Sequence, residues 1–440
     1  MASLIHFFLI SSLIFFISPS TSKPLPFHPK SLVLPITKDK WSLQYTTQIS
    51  QRTPLVAVKL TVDLGGRFMW ADCENGYFSS SFKPVRCSSP ICSLSNSASC
   101  YSECHASPKS PECLSGTCQH LPDNRIAFVS GVGDIRQDVV SFQSVNGQNV
   151  SVRDFPFVCS PASVLENLAD GVTGMAGLGR SNISIPAYSS SVFGFSKKFA
   201  MCLSSSTKSN GVVVLGDGPT YPNLTYTPLI LNPESTAASL YAGEPSADYF
   251  IDLKSIRLDG KEIKFNKTLL SILPDGSGGT VLSTLHPYTS LHSAIYKAIF
   301  KAFAKKLSLY VKAEPRMPVP FEACYITLSL ENFARDMPPI DLVLGSVDGK
   351  KDVIWRISGE NSMVAINSYT MCFAFVDGGT ELGRTHVIIG GRQLEDNFLQ
   401  FDIANSRLGF SGNQCFENRT GPAGRTGLTG NRLPVRSGLW

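Results

Sequence analysis

The chain has 440 residues, of which 43% are hydrophobic and 17% are charged, and its formal net charge is +5 at pH 7. Its length allows two or three domains, and its composition is that of a globular protein, which argues against disorder of the whole chain. The small, unclustered positive charge argues against nucleic-acid binding and only weakly favours an acidic partner or a polyanionic wall.

Residues 1–22 are predicted to be a secretory signal peptide. Residues 4–17 are almost continuously apolar, and Ser20 and Ser22 place small residues at the −3 and −1 positions of a cleavage site. The alternative is an N-terminal membrane anchor, but a span needs about 20 apolar residues and this run is shorter. No later segment is long and apolar enough to span. We therefore expect a secreted protein of the extracellular space or cell wall, with no membrane partner.

Two β-rich blocks follow, and we expect each to form a lobe. Residues 23–218 contain short apolar or alternating runs broken by Gly, Pro, Ser and Asn, a pattern typical of strands. Within this block, residues 73–118 are rich in Ser, Pro and Cys and predict a cross-linked loop excursion. A joining segment at 219–248 leads to the second β lobe at 249–415. The tail, 416–440, has almost no apolar pattern and is predicted to be disordered.

One strong helix is predicted in the second block, at residues 287–307. Apolar residues including Leu291, Ile295 and Ile299 recur there at helical spacing, while lysines form another face. We interpret it as a packing helix with a solvated lysine row, and the alternative is a binding helix.

Twelve cysteines support the secretory route, because an even number in a secreted chain indicates disulfides. The rival interpretation is a zinc site, but no C-x-x-C pair occurs and the spacings do not repeat. We therefore predict disulfides and neither a metal nor another cofactor. Twelve cysteines can pair in roughly ten thousand ways, so the connectivity stays open. The cysteines are Cys73, Cys87, Cys92, Cys100, Cys104, Cys113, Cys118, Cys159, Cys202, Cys324, Cys372 and Cys415.

Five N-x-S/T sequons predict glycans, and therefore surface positions, on an exported chain. They lie at Asn149, Asn182, Asn223, Asn266 and Asn418.

Two apolar strands end in turns that carry the candidate catalytic positions. Residues 60–66 (LTVDLGG) deliver Asp63 into a glycine turn, and about 220 residues later residues 280–282 lead to Ser283 and Thr284. Peptide hydrolysis by paired acids needs two carboxylates that share one proton. A serine hydroxyl does not ionise near neutral pH and cannot form that pair.

Four segments, in chain order, resemble the pepsin-type aspartic proteases. They more closely resemble the plant extracellular group of carrot extracellular dermal glycoprotein, xyloglucanase inhibitors, wheat xylanase inhibitors and basic 7S globulins. The resemblance implies an all-β, mostly antiparallel, bilobal fold with a central cleft and few helices. It also implies a cysteine cluster that stabilises the N-lobe excursion, with Cys324–Cys372 and Cys202–Cys415 as the first pairs to expect. The segments are residues 62–66, 174–180, 282–289 and 388–397, the last followed by 401–402 and 407–410.

This resemblance predicts that the chain is not an enzyme. Ser283 replaces the second acid, and Leu64 replaces the hydroxyl residue usual in active members. Another candidate acid, Asp377, lies too close to the C-terminus. The expected flap at residues 127–133 contains no tyrosine. Asp63 and Ser283 are therefore interpreted as vestigial, with Asp63 kept as a hydrogen-bonded turn residue.

The leading hypothesis is an inhibitor that plugs the acidic groove of a microbial cell-wall glycoside hydrolase, of xyloglucanase or xylanase type. The resemblance places its first contact loop at residues 329–339, where Arg335 is the candidate plug. Arg335 could instead pair with Glu331 or Asp336. The second loop, 411–414, is short and carries no basic residue. The alternative hypothesis is therefore a non-inhibitory wall or storage-like glycoprotein of the basic 7S globulin type that binds peptide or polysaccharide.

Overall fold

The computed structural model describes residues 29–97, 99–101, 116–218, 221, 223–237, 243–308, 320–380, 384–412 and 415. The predicted signal peptide and tail lie outside these residues, as do Cys104, Cys113 and Asn418. Among the residues described, none of the helices combines the length and the apolar character needed to cross a membrane.

The described chain is mostly β-strand with six short or medium α-helices. Strands before residue 219 are β1 (Ser31–Lys38), β2 (Tyr45–Gln51), β3 (Val56–Asp63), β4 (Trp70–Asp72), β5 (Lys83–Pro84), β6 (Ser99–Tyr101), β7 (Thr117–His120), β8 (Asp123–Asn124), β9 (Val129–Ser130), β10 (Gly133–Ser144), β11 (Asn149–Ser160), β12 (Gly174–Gly177), β13 (Lys198–Cys202) and β14 (Gly211–Gly216). Later strands are β15 (Thr225–Ile230), β16 (Phe250–Ile251), β17 (Leu253–Leu258), β18 (Lys261–Glu262), β19 (Thr280–Leu282), β20 (Thr289–Leu291), β21 (Cys324–Ile326), β22 (Ile340–Leu344), β23 (Val353–Ile357), β24 (Met363–Asn367), β25 (Thr370–Phe373), β26 (Phe375–Asp377), β27 (Val387–Ile389), β28 (Phe398–Asp402) and β29 (Arg407–Ser411). The helices are α1 (Pro90–Ser95), α2 (Ile185–Phe193), α3 (Ser293–Lys306), α4 (Leu330–Asp336), α5 (Gly359–Ser362) and α6 (Gly391–Leu394), with 3₁₀ turns at Ala162–Leu165 and Lys267–Leu270.

The two lobes repeat one strand arrangement. In the first lobe β3 pairs in parallel with β12, β12 pairs antiparallel with β4, and β4 pairs in parallel with β11. In the second lobe β19, β27, β20 and β26 repeat the same sequence of parallel, antiparallel and parallel pairings. Most other pairings are antiparallel. The predicted bilobal, mostly antiparallel β fold is confirmed.

The lobes are joined by a shared antiparallel sheet in the order β1-β14-β13-β28-β29-β15. Its central pairing, β13 with β28, places Lys198 opposite Asp402 and Cys202 opposite Phe398. Strand β15 lies inside the segment predicted to be a joining region. There Thr227 and Leu229 are buried between half-buried neighbours, a period-two pattern that the Pro- and Ser-rich composition obscured.

A continuous apolar core runs through both lobes. Phe199 of β13 stacks on Phe401 of β28 with ring centroids 4.6 Å apart, so the shared sheet also joins the two halves of the core. Burying a side chain of this size stabilises the fold by about 1.5–3 kcal/mol.

A buried polar cluster adds a second connection between the lobes. The carboxylate of Glu395 is fully buried and accepts hydrogen bonds from Lys38 Nζ at 2.5 Å and Tyr45 Oη at 2.6 Å, both on N-terminal strands. Arg392 of α6 donates to its other oxygen at 2.8 Å. Because a buried charge must be paired, these three donors fix the position of α6 against β1 and β2.

The predicted helix is shorter than expected. The chain runs as strand β20 at Thr289–Leu291, paired with β26 and β27, and helix α3 begins only at Ser293. Ile295, Ile299 and Phe303 are buried, whereas Lys297, Lys301 and Lys305 are exposed. The arrangement is that of a packing helix with a solvated lysine row.

Five disulfides lie within the described residues. Cys202–Cys415 and Cys324–Cys372, the two pairs implied by the resemblance, are both formed. In the cysteine-rich excursion the sulfurs of Cys92, Cys100 and Cys118 lie near one another because two disulfides are adjacent. The remaining bonds are Cys73–Cys159, Cys87–Cys100 and Cys92–Cys118.

Candidate functional site

Asp63 lies at the end of β3, at the bottom of a tight turn, and only 4% of it is exposed. Its Oδ1 accepts a hydrogen bond from the backbone N–H of Gly65 at 3.0 Å, and its backbone oxygen accepts from Gly66 and Leu178. A Cβ on Gly66 would lie 2.8 Å from the Cα of Gly177, so the two backbones can approach this closely only with glycine. These contacts hold the carboxylate in one orientation.

Ser283 occupies the position in the second lobe that corresponds to Asp63. In the parallel pair of β3 and β12, Asp63 lies opposite Gly177. The register of β19 with β27 pairs Leu282 with Ile389, so one further step places Ser283 opposite Gly390. The Ser283 hydroxyl lies 3.1 Å from Nδ1 of His286 and accepts from the N–H of Leu285. The second lobe therefore presents a neutral hydroxyl, satisfied within its own turn.

Thr284 links the two turns across the lobe boundary. Its hydroxyl donates to the carbonyl of Val62 at 2.6 Å and accepts from the N–H of Leu64 at 3.0 Å. Leu64 has no hydroxyl, so the reciprocal bond toward the second lobe is not made. The connection between the two turns is one-sided.

Arg125 enters the cleft from a short hairpin formed by β8 and β9. Its Nη2 donates to Asp63 Oδ1 at 2.9 Å, and its Nη1 donates to both carboxylate oxygens of Asp248 at 3.0 Å. The hairpin covers residues 123–130, earlier than the 127–133 expected for the flap. It contains no tyrosine, and Phe128 at its tip is 87% exposed. One guanidinium thus bridges the first turn and the segment that enters the second lobe.

The charges in this cleft depend on one another. Burial raises the pKa of Asp63, with Arg125 opposing this effect and Asp248 adding to it. Burial alone would lower the pKa of Arg125. Attraction to the carboxylates of Asp248 and Asp63 is stronger, so the pKa of Arg125 is raised. Burial also raises the pKa of Asp123, and the positive charge of Arg125 again opposes this rise. Arg125 is therefore the cation that opposes the effect of burial on Asp63 and Asp123.

Little space remains between these groups. The cavity lined by Asp63, Arg125, Asp248 and Trp70 has a volume of about 30 Å³, room for roughly one water molecule. The Asp63 side chain is 6% exposed and bound to Arg125, so little of its carboxylate is accessible to a ligand.

Comparisons with known proteins agree with this bilobal fold. The family models described as xylanase inhibitor N-terminal and xylanase inhibitor C-terminal match residues 45–217 and 248–412. The chain belongs to the xylanase inhibitor family. Its similarities place it among catalytically inactive, aspartic-protease-like proteins.

The proteins to which this chain is similar carry different names. "Probable aspartic proteinase GIP2" of Nicotiana benthamiana is 47% identical, over 94% of this chain and 96% of its own length. "Basic 7S globulin 2" of Glycine max is 32% identical, over 93% of this chain and 95% of its own length. The solved structure "Crystal structure of edgp" matches with a TM-score of 0.80 at 47% identity, over 88% of this chain and 95% of that one.

Arg335 lies in a helix rather than a loop. Residues 330–336 form α4, capped by Ser329, whose side chain accepts from the N–H of Asn332. Arg335 Nη2 lies 2.6 Å from Glu331 Oε1, so of the two alternative partners the structure selects Glu331 over Asp336. Both side chains are largely exposed, at 59% and 80%. Of the second contact loop, only Ser411 and Gly412 lie within the described residues.

Other candidate residues are dispersed. Asp377 ends β26, where it accepts from the Ser293 hydroxyl at 2.6 Å and from the N–H of Gly379, and it is not in the cleft around Asp63. Asn149, Asn182, Asn223 and Asn266 are exposed, as expected for sequons on the surface.

Arg125 and Asp248 are the site residues that sequence reasoning missed. Arg125 is 62 residues from Asp63 in a short hairpin without a distinctive pattern. Asp248 belongs to the segment interpreted as a joining region. A lone arginine two residues before the expected flap was the one available signal.

Proposed function

We propose that this protein is a secreted, catalytically inactive member of its family that inhibits a microbial cell-wall glycoside hydrolase of xyloglucanase or xylanase type. The observation that carries the proposal is the closed cleft, with Arg125 bound to Asp63 and Asp248. Since Ser283 stands where a second acid would be needed, general acid–base hydrolysis of a peptide has no partner for Asp63. Function must then use the outer surface.

The C-terminal lobe offers such a surface around α4. Glycosidases hold a pair of acidic residues in an open groove, and a cation on a rigid element can form charge-assisted bonds to them. Arg335 is a cation of this kind. Its bond to Glu331 is exposed and contributes only about 0.3–0.5 kcal/mol, so exchanging Glu331 for a carboxylate of the partner costs little.

Exposed apolar side chains adjoin α4 and support an interface there. Leu328, directly before the helix cap, is fully exposed, and Tyr369 and Ile326 are 59% and 45% exposed. The backbone N–H of Thr327 donates to the carbonyl of Tyr369 at 2.9 Å, which keeps these residues on one face. An apolar patch beside a cation is the composition expected of a protein interface.

Inhibition assays test the proposal. The protein at micromolar concentration is mixed with a panel of fungal xyloglucanases and xylanases at mildly acid pH, and residual activity is measured. We expect at least one enzyme to be inhibited. Arg335→Ala weakens that inhibition at least about tenfold, the loss of one strong charge-assisted contact. The matched variant Arg153→Ala, an exposed arginine of β11, leaves it unchanged, as does Ser283→Ala. Inhibition of no enzyme overturns the proposal.

The second candidate is a storage-like or ligand-binding glycoprotein of the wall or seed. Two observations favour it: Arg335 is already paired with Glu331, and relatives over 30% identical are named basic 7S globulin and gamma conglutin. Glu331→Gln separates the two candidates. If Arg335 is an inhibitory contact, releasing it from Glu331 maintains or strengthens inhibition, whereas a storage protein inhibits in neither form.

A further inference from the structure

A recess of about 340 Å³ opens beside the closed cleft. The two spaces adjoin, because Arg67 and Ala247 line both. Its walls come from the turn after β12, from α1 with its C-cap, and from residues 244–247. Unlike the 30 Å³ left around Asp63, this volume is within the range of small-ligand sites.

Arg180, in the turn after β12, is the unusual residue of this recess. It is half-buried, its Nη1 donates to the carbonyl of Ile230 at 2.9 Å, and its guanidinium lies 5.8 Å from the ring centroid of Tyr249. It forms no ion pair with any carboxylate of the described residues. Burial lowers its pKa, opposed only by Tyr249. A half-buried cation without an anion is an energetic cost that a bound anion would offset.

The other charged groups around the recess do not supply that anion. The carboxylate of Glu244 is bound to the guanidinium of Arg67 and also accepts from Asn96 Nδ2 at 2.9 Å. Asp248, beyond Ser246, is held by Arg125. Lys197 is no anion either, and its pKa is lowered by burial and then by repulsion from Arg180. The recess is therefore positive at Arg180.

The remaining lining selects an apolar ligand body over a sugar. Leu94, Leu231 and Pro245 line the recess, and Leu231 is 52% exposed. A hydroxyl-rich ligand would need free polar partners, and two of the lining hydroxyls already donate elsewhere, that of Ser181 to the carbonyl of Arg67 and that of Ser95 to the carbonyl of Cys92. Among the described residues that line this recess, none has an aromatic side chain that could stack on a sugar ring.

We propose that the recess at Arg180 binds a monocarboxylate with a compact apolar body, its carboxylate on the guanidinium and its apolar part against Leu94, Leu231 and Pro245. Such a group is supplied by the C-terminal apolar residue of a peptide or by a free aliphatic acid. This binding site does not depend on glycoside hydrolase inhibition, so either conclusion can fail alone.

Calorimetric or NMR titration with small probes tests the site. N-acetyl-leucine binds, whereas N-acetyl-leucinamide, which lacks the charge, and N-acetylglycine, which lacks the apolar body, each bind at least about tenfold more weakly. Comparison with 4-methylpentanoate distinguishes the sources. Tighter binding of N-acetyl-leucine indicates a peptide end, and equal binding indicates a free acid. The titration is repeated with Asn182→Gln, because a glycan on this rim residue would narrow the entrance to the recess. Binding of N-acetyl-leucine by the unaltered chain or by Asn182→Gln supports the site.

Variants locate the binding. Arg180→Gln reduces N-acetyl-leucine affinity at least tenfold, Arg180→Lys retains part of it, and Arg153→Gln leaves it unchanged. Should Arg180→Gln fail to fold, the comparison of N-acetyl-leucine with its amide on the unaltered chain still decides. Four results overturn the proposal: no binding of N-acetyl-leucine or 4-methylpentanoate at millimolar concentration, equal affinity for the amide, full affinity in Arg180→Gln, or tighter binding of galacturonate.

Discussion

The guanidinium of Arg125 lies 2.9 Å from the carboxylate of Asp63, although the two residues come from different elements of the first lobe. The same guanidinium holds Asp248. In a cleft with room for roughly one water, this contact makes the remaining acid an ion-paired structural group and excludes a substrate from it.

Removing the guanidinium of Arg125 should show how far the stability of the fold depends on this ion pair. In Arg125→Ala, Asp63 and Asp248 stay buried without a positive partner, which costs about 3–5 kcal/mol of unfolding free energy at neutral pH. The pKa of Asp63, which burial already raises, then rises further because Arg125 no longer opposes it, so the folded state binds more protons than the unfolded chain. Stability is consequently greatest in acid and falls as pH rises. Urea unfolding across the pH range measures this, and Arg125→Lys, which keeps a charge, is the control expected to lose less.

The buried Glu395 cluster predicts a graded loss of interlobe stability. Glu395→Gln leaves Lys38 and Arg392 without their carboxylate and lowers the free energy of unfolding by about 3–5 kcal/mol. Tyr45→Phe removes one donor to that carboxylate and costs about 1.5–3 kcal/mol. The exposed Tyr369→Phe should change nothing. A Glu395→Gln protein as stable as the unaltered chain would show that the cluster does not hold the lobes.

Acid sensitivity should come in part from buried histidine. Burial lowers the pKa of His120 to about 4, where its Nε2 contacts the carbonyl of Ser95 at 2.9 Å. Between about pH 6.5 and 4 the unfolded chain binds a proton at this histidine and the folded chain does not. The free energy of unfolding therefore falls as pH falls, by about 2–3 kcal/mol at pH 4.5. His120→Gln, which keeps a donor but does not titrate, flattens the stability profile in this window. An unchanged profile would contradict the assignment.

Much of the fold could be predicted because its signals are local. The turns at Asp63 and Ser283 each follow an apolar strand within a few residues, and period-two runs mark most strands. The pairing of Arg335 with Glu331 could be named as one of two alternatives because it is also local. Residues four apart on a helix are neighbours. Helix α3 was placed too early because apolar spacing cannot show that residues 289–291 pair with two other strands.

The closed cleft could not be predicted, because its contacts join distant parts of the chain. Arg125 meets Asp63 and Asp248 across 62 and 123 residues, and Glu395 meets Lys38 across 357. No single-sequence pattern encodes such pairings. The strand β15 was hidden for a different reason, since its short alternation lies within a Pro- and Ser-rich composition.

The most direct test of the closed cleft is an assay for peptidase activity. The purified protein and its Asp63→Ala variant are incubated with an unfolded protein substrate from about pH 3 to pH 7, and released peptides are quantified. Because Arg125 occupies the cleft and Ser283 supplies no second acid, we expect no hydrolysis above background from either protein. Hydrolysis by the unaltered chain that disappears in Asp63→Ala would contradict the account.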